Sequence, residues 1–122
     1  MTKRILAVDD SKTMRDMVSF TLKKAGFDVA EAEDGKAALN VLTGGKFDLI
    51  ITDLNMPVMN GLELIKALRK VPTLVGLPIV FLTTESNESV KQEAKSCGAT
   101  GWITKPFKPE QLVSVVSRLV RA

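Results

Sequence analysis

Short apolar runs alternate with amphipathic stretches from end to end of this chain, and that alternation predicts repeated β-α units around a parallel sheet. A first strand is expected from Arg4 to Asp9. The helix after it carries Met14, Met17, Val18, Thr21, Leu22 and Ala25 at three- and four-residue spacing until Gly26 stops it. A shorter, partly polar run at Asp28 to Ala32 reads as an edge strand. Asp34 then caps a helix with Ala38, Val41 and Leu42 inward, which ends at Gly44-Gly45.

The third strand, Asp48 to Thr52, is continuously apolar in its middle, the mark of a central strand covered on both faces. Asn60, with Glu63 three residues later, opens a helix with Leu62, Ile65 and Leu68 inward. Pro78 to Thr83 forms the fourth strand. The helix at about Asn87 to Cys97 offers only Val90, Ala94 and Cys97 as an apolar stripe, so it is predicted to be the most weakly anchored. Thr100 to Thr104 supplies the fifth strand, and a last helix carries Leu112, Val113, Val115, Val116, Leu119 and Val120. Five β-α units in series give an α/β fold with a flavodoxin-like five-stranded parallel sheet, order 2-1-3-4-5, and five helices on its two faces.

Composition narrows the function classes. A chain of 122 residues, 45% apolar and 25% charged, is read as a single domain spanning 1–122 and as an ordinary globule. No apolar stretch approaches the roughly 20 residues that span a bilayer, and the opening Met1-Thr2-Lys3-Arg4 is unlike a signal peptide, so a cytoplasmic protein is expected. Histidine is absent, which removes Ser-His and Cys-His nucleophile pairs and histidine-ligated zinc. Cys97, the sole cysteine, reads as a small core residue. The net charge of +3 is spread over Lys3-Arg4, Lys23-Lys24, Lys66 with Arg69-Lys70, Lys91 with Lys95, and Arg118 with Arg121, without interleaved aromatics, and reads as solvated faces rather than a nucleic-acid surface.

The candidate chemistry lies at the strand ends. Asp9, Asp10, Asp53, Thr83 and Lys105 each follow an apolar run. In an open α/β sheet, ligands bind beyond the carboxyl ends of the strands where the winding reverses, and the order 2-1-3-4-5 puts that point between strands one and three. Carboxylates gathered there raise one another's proton affinity unless a cation neutralises them, and hard oxygen donors suit Mg²⁺. Asp53 is the nucleophile candidate, since an aspartate can attack phosphorus and form an acyl phosphate. Lys105 and Thr83 fit the ammonium and hydroxyl that phosphoryl transfer asks for. Taken singly, Asp9-Asp10 would read as a strand-end turn, Thr83 as a β-branched strand terminus and Lys105 as a surface lysine.

Together, Val8-Asp9-Asp10-Ser11, Asp53-Leu54-Asn55-Met56-Pro57-Val58-Met59-Asn60-Gly61, Thr83-Thr84 and Lys105-Pro106-Phe107 resemble the receiver domain of two-component response regulators, over the entire chain and with specific joint spacing. With nothing after the final helix, it looks most like the stand-alone, CheY-like chemotaxis type. The resemblance implies that Asp53 accepts a phosphoryl group from a histidine kinase, that Asp10, Asp53 and the Asn55 carbonyl hold Mg²⁺ with Asp9 acting through water, and that the Lys105-Pro106 bond is cis. It also implies that Lys105 pairs with Asp53 and then with the phosphoryl oxygen, that Thr83 bonds to that oxygen, and that Asn55 and Glu85 tune how long the phosphoryl group survives. Output would be a change in the face built from the fourth helix, fifth strand and fifth helix.

A chemotaxis kinase of the CheA type, and either the flagellar motor switch protein or a phosphate-sink role, are the implied partners of a monomer that is not itself a turnover enzyme. Two positions depart from the family pattern. Trp102 stands where the family's aromatic switch is usually Tyr or Phe, and Thr84 where many members have Ala or Gly.

A Mg²⁺-dependent aspartyl-phosphate phosphatase of the haloacid-dehalogenase type remains an alternative, although Asn55 stands where that class wants an acid/base aspartate. A flavin-type mononucleotide site would need a glycine- and hydroxyl-rich loop where Asp9-Asp10 stands.

Overall fold

The computed structural model describes residues 2–56 and 58–120, so Pro57 of the motif that begins at Asp53 and Arg121 of the last basic pair lie outside the described residues. Five strands, β1 (Arg4–Val8), β2 (Asp28–Ala32), β3 (Leu49–Thr52), β4 (Ile79–Thr83) and β5 (Gly101–Thr104), alternate with five helices. These are α1 (Lys12–Lys24), α2 (Gly35–Thr43), α3 (Gly61–Leu68), α4 (Glu88–Ser96) and α5 (Pro109–Leu119). All strand pairs are parallel, in the order β2-β1-β3-β4-β5 predicted from the pattern. Among the described residues, no helix is long and apolar enough to cross a membrane.

The sheet divides the core in two because side chains alternate along each strand. Ile5 and Ala7 of β1 face one cluster with Val18 and Leu22 of α1 and Leu112 and Val116 of α5. Leu6 and Val8 face the other, with Ala38 and Leu42 of α2 and Leu64, Ile65 and Leu68 of α3. Each fully buried Leu or Ile contributes about 1.5–3 kcal/mol, so α3, with three, is firmly held. Within α4 only Ala94 is buried, which leaves it the least anchored helix, as its sparse stripe predicts.

The predicted caps form. Asp34 accepts from the Ala37 N–H at 2.8 Å. Asn60 and Glu63 make a reciprocal capping box at 2.9 and 3.0 Å. Ser11, which the periodicity does not single out, caps α1 by accepting from Met14 N–H. A short 3₁₀ turn at Pro72–Leu74, also unforeseen, buries Leu74 before β4.

Four inward assignments need correction. Met17 is 48% exposed and Ala25 is exposed, because the stripe of α1 that meets the sheet is Met14, Val18 and Leu22. Met17 and Phe20 instead line an apolar groove of about 730 Å³ between α1 and α5. In α3 the buried position is Leu64, and Leu62 is half-buried against a third cluster of Leu54, Phe81 and Ala94. Cys97 is a half-buried free thiol at the rim of the α2–α3 face.

Gly61 explains the helix rotation. A Cβ there would lie 2.5 Å from the Phe81 ring, 2.7 Å from the Asp53 carbonyl oxygen and 3.0 Å from Leu54 Cα, so α3 starts hard against the backbone that carries Asp53. Gly61→Ala is expected to lower stability by about 2–3 kcal/mol through overpacking, read as a lower denaturant midpoint at unchanged slope. A variant that melts with the unmodified protein would contradict this contact.

A second constraint sits at the opposite end of the sheet. Arg69 donates from Nη1 to the carbonyls of Leu74, Val75 and Leu77, and from Nη2 to that of Gly98. One guanidinium thereby ties the segment before β4 to the α4–β5 turn.

Candidate functional site

Register brings the carboxylates together. Val8 of β1 pairs with Thr52 of β3, so the next residues, Asp9 and Asp53, emerge side by side at the central gap where the winding reverses. Main-chain bonds extend both strand ends, from Asp53 N–H to the Val8 carbonyl at 3.0 Å and from Asp9 N–H to the Ala32 carbonyl at 3.2 Å. On the other side Thr83 pairs with Thr104, and Lys105 N–H donates to the Thr83 carbonyl at 2.9 Å. All five predicted strand-end residues therefore lie along one edge of the sheet.

The Lys105 ammonium bridges two carboxylates, at 2.8 Å from Asp9 Oδ2 and 3.1 Å from Asp53 Oδ2, with little of the three side chains exposed. Burial alone would lower the lysine pKa. Hydrogen bonds and attraction from Asp9 and Asp53 together outweigh it and hold the pKa above the ordinary lysine value. A raised folded-state pKa means that the ion pair's contribution is complete below the ordinary lysine pKa and is lost only as pH rises through the folded value, so it is constant across the neutral range.

Asp53 is fixed by its own turn. Its Oδ1 accepts from Leu54 N–H at 2.7 Å and, at 3.4 Å, from Asn55 N–H, while Asp9 Oδ1 accepts from Ser11 N–H at 2.9 Å. Asp10 is exposed, yet one oxygen from each of Asp9, Asp10 and Asp53 lies within 4.8 Å of the others. One ammonium serves this trio, and it reaches only two members. Such a set of hard oxygen donors fits Mg²⁺, which takes one or two carboxylates and keeps several waters.

The imbalance has a measurable consequence. Asp10→Asn should raise metal-free stability by about 0.5–1 kcal/mol by relieving like-charge repulsion at an exposed position. Added Mg²⁺ should then stabilise the unmodified chain more than the variant, so their midpoints converge or cross on metal titration. A metal-free Asp10→Asn chain that melts lower would contradict the repulsion.

The remaining predicted residues form the rim. Thr83 is fully buried, and its hydroxyl oxygen accepts from Glu85 N–H at 3.2 Å, which leaves the hydroxyl hydrogen free to donate. Glu85 turns back on its own loop and accepts from Asn87 N–H at 3.1 Å. Thr84 and Asn55 are exposed. The Lys105–Pro106 peptide is cis.

Trp102, on edge strand β5, packs at 5.7 Å and 54° to Phe81, with Lys91 Nζ 5.6 Å above its ring. Its indole nitrogen is buried without an acceptor among the described residues, an arrangement that costs about 1–3 kcal/mol.

Periodicity did not point to Arg15. Its Nη1 donates to the Asp9 carbonyl at 2.6 Å and its Nε to Glu31 Oε1 at 3.4 Å, a link between α1, β2 and the acidic turn. The only sequence signal is its place four residues after the cap Ser11.

A doubly wound sheet with an acidic crevice at its switch point, closed by a lysine, defines a class of phosphoryl- and metal-handling domains. The family is shown by comparison: residues 5–117 match the response regulator receiver domain, and the chain belongs to that family. It is 38% identical over 117 residues to the chemotaxis protein CheY of Pseudomonas aeruginosa, covering 95% of this chain and 94% of that one. The structure of chemotaxis protein CheY4 of Vibrio cholerae is 48% identical, with a TM-score of 0.94 over 98% of this chain and 99% of the other. The phosphate regulon transcriptional regulatory protein PhoB of Escherichia coli is 37% identical over 121 residues, covering 99% of this chain and 53% of that protein. The chain is therefore a receiver domain of the CheY type.

Proposed function

We propose that this chain is a phosphoacceptor of chemotaxis signalling, in which Asp53 takes a phosphoryl group from the phosphohistidine of a CheA-like kinase. The observation that carries the reading is the Lys105 ammonium bridging Asp9 and Asp53 beside the carboxylate of Asp10, which makes no ion pair among the described residues. In the transfer, an Asp53 carboxylate oxygen bonds to phosphorus as the P–N bond to the histidine breaks, and the imidazole leaves with the bonding pair. Asp9, Asp10, Asp53 and the Asn55 carbonyl would hold Mg²⁺, which when bound supplies positive charge against the phosphoryl oxygens.

This chain's own residues do the rest. Leu54 N–H fixes the plane of the Asp53 carboxylate. Lys105, already charged, moves from Asp53 to a phosphoryl oxygen, and the free Thr83 hydroxyl hydrogen donates to another. Thr83 moving inward draws the Thr84–Glu85 loop with it. Trp102 repacks to give its indole N–H an acceptor, and the face of α4, β5 and α5 changes its affinity for a partner, the flagellar motor switch protein or, in a phosphate sink, none. Thr84 narrows access to the phosphoryl group, and Glu85 and Asn55 tune its lifetime. Residues 1–122 act in the cytoplasm as a monomeric receiver domain that turns over only its own acyl phosphate.

The test is incubation with acetyl phosphate and Mg²⁺, followed by peptide mass mapping. One phosphoryl group on Asp53 and altered Trp102 fluorescence are expected, and beryllofluoride should reproduce the fluorescence change. Label on another residue overturns the assignment, and unchanged fluorescence with unchanged amide shifts in residues 84–108 overturns the switch. Transfer from a phosphorylated kinase, then capture of the motor switch protein with and without phosphorylation, separates the two chemotaxis roles.

A further inference from the structure

Ser19 lies on the buried side of α1 with 4% of its surface exposed, a costly place for a hydroxyl unless it is bonded. Its Oγ–H donates across to β2, to Glu31 Oε2 at 2.9 Å, instead of to the local helix carbonyl that a mid-helix serine commonly uses. Glu31 presents its other oxygen to Arg15 Nε at 3.4 Å, and Arg15 Nη1 donates to the Asp9 carbonyl at 2.6 Å. The Arg15 side chain is 15% exposed, so the fork is largely enclosed.

The receiving atom matters. Asp9 N–H is held by Ala32 and the Asp9 carboxylate by Ser11 and Lys105, so Arg15 closes the one remaining freedom of the turn, the plane of the Asp9–Asp10 peptide. Asp10, next along that peptide, makes no side-chain hydrogen bond among the described residues, and its direction is set by the main chain.

We propose that Arg15, oriented by Glu31 and Ser19, is a positioning residue that fixes the Asp9–Asp10 peptide so that the Asp10 carboxylate meets those of Asp9 and Asp53 on a divalent cation. The inference rests on the proposed Mg²⁺ site. Glu31 has a second part in it, since its negative charge offsets a guanidinium that would otherwise oppose a cation in the crevice. Hydrogen-bonding partners of this kind, one step removed from the metal, commonly change affinity about 10- to 100-fold when mutated.

The sign of the effect separates positioning from electrostatics. Removing a positive charge near a cation site tightens binding by charge alone, whereas losing the orientation of Asp10 weakens it. Mg²⁺ alone, titrated into the full metal-free chain and followed by amide shifts, should bind Arg15→Ala about tenfold more weakly than the unmodified protein. Glu31→Gln, which leaves the guanidinium uncompensated, should bind about two- to threefold more weakly, more so at low ionic strength.

Equal or tighter binding by Arg15→Ala overturns the proposal, as does a lowered metal-free midpoint with an unchanged Mg²⁺ affinity, the signature of a merely structural contact. Should Arg15→Ala fail to fold, Arg15→Lys, which keeps the charge but cannot span both partners, must show the same weakening. An unmodified chain that binds no Mg²⁺ overturns the site reading itself, a result distinct from unmodified binding with indifferent variants.

Discussion

Replacing Lys105 by methionine should cost the metal-free protein about 2–4 kcal/mol, because it leaves two enclosed carboxylates facing each other with their shared cation gone. Methionine is unbranched and only one atom shorter than lysine, so the loss reports mainly the charge. The bonds at 2.8 and 3.1 Å to Asp9 and Asp53 vanish together, and the Asp10 carboxylate adds to the repulsion. Mg²⁺ should restore a large part of the loss, since it supplies positive charge to the same oxygens. In the unmodified chain the lysine's contribution is flat through neutral pH, because its pKa is raised, so the gap between the two proteins should hold constant across that range. Denaturant midpoints with and without Mg²⁺ check this. Coincident metal-free curves would show that the ion pair contributes nothing to the fold.

Asp53→Asn should abolish acceptance of the phosphoryl group from acetyl phosphate or a kinase while leaving the fold intact. An amide oxygen still accepts from Leu54 N–H at the Oδ1 position, and Lys105 keeps Asp9 as its partner. One negative charge fewer in the crevice should leave the metal-free midpoint at or above that of the unmodified protein. The stabilisation by Mg²⁺ should shrink, since a ligand carboxylate is gone. Phosphoryl incorporation at the unmodified rate would remove Asp53 from the reaction.

These expectations trace back to features of unequal legibility. The strands could be read because a parallel sheet covered on both faces demands continuous apolar runs, as at Ile79 to Leu82. The crevice could be read because strand order fixes which strand ends are neighbours, so Asp9 and Asp53 had to meet once β1 and β3 were adjacent. Helix facing was less accessible. Leu62, Leu64, Ile65 and Leu68 admit two apolar stripes, and the choice of Leu64 is made by Gly61 seating against Phe81, a contact between distant segments. Met17 satisfies the period of α1 but falls on its flank, where α5 leaves a groove. Arg15 and Glu31 are 16 residues apart on a helix and a strand, and no local period encodes their bond.

The Arg69 clamp gives the α4 region a mechanical asymmetry. Its guanidinium pins Gly98, just past the C-terminal end of α4, to the segment leading into β4. The N-terminal end of α4 follows the short Thr83–Asn87 loop, and the helix is rooted in the core by the buried Ala94 and the half-buried Val90. Restraint on the helix is therefore concentrated near Gly98. The crevice end of α4, where Lys91 lies over the Trp102 ring, is the less restrained of its two ends.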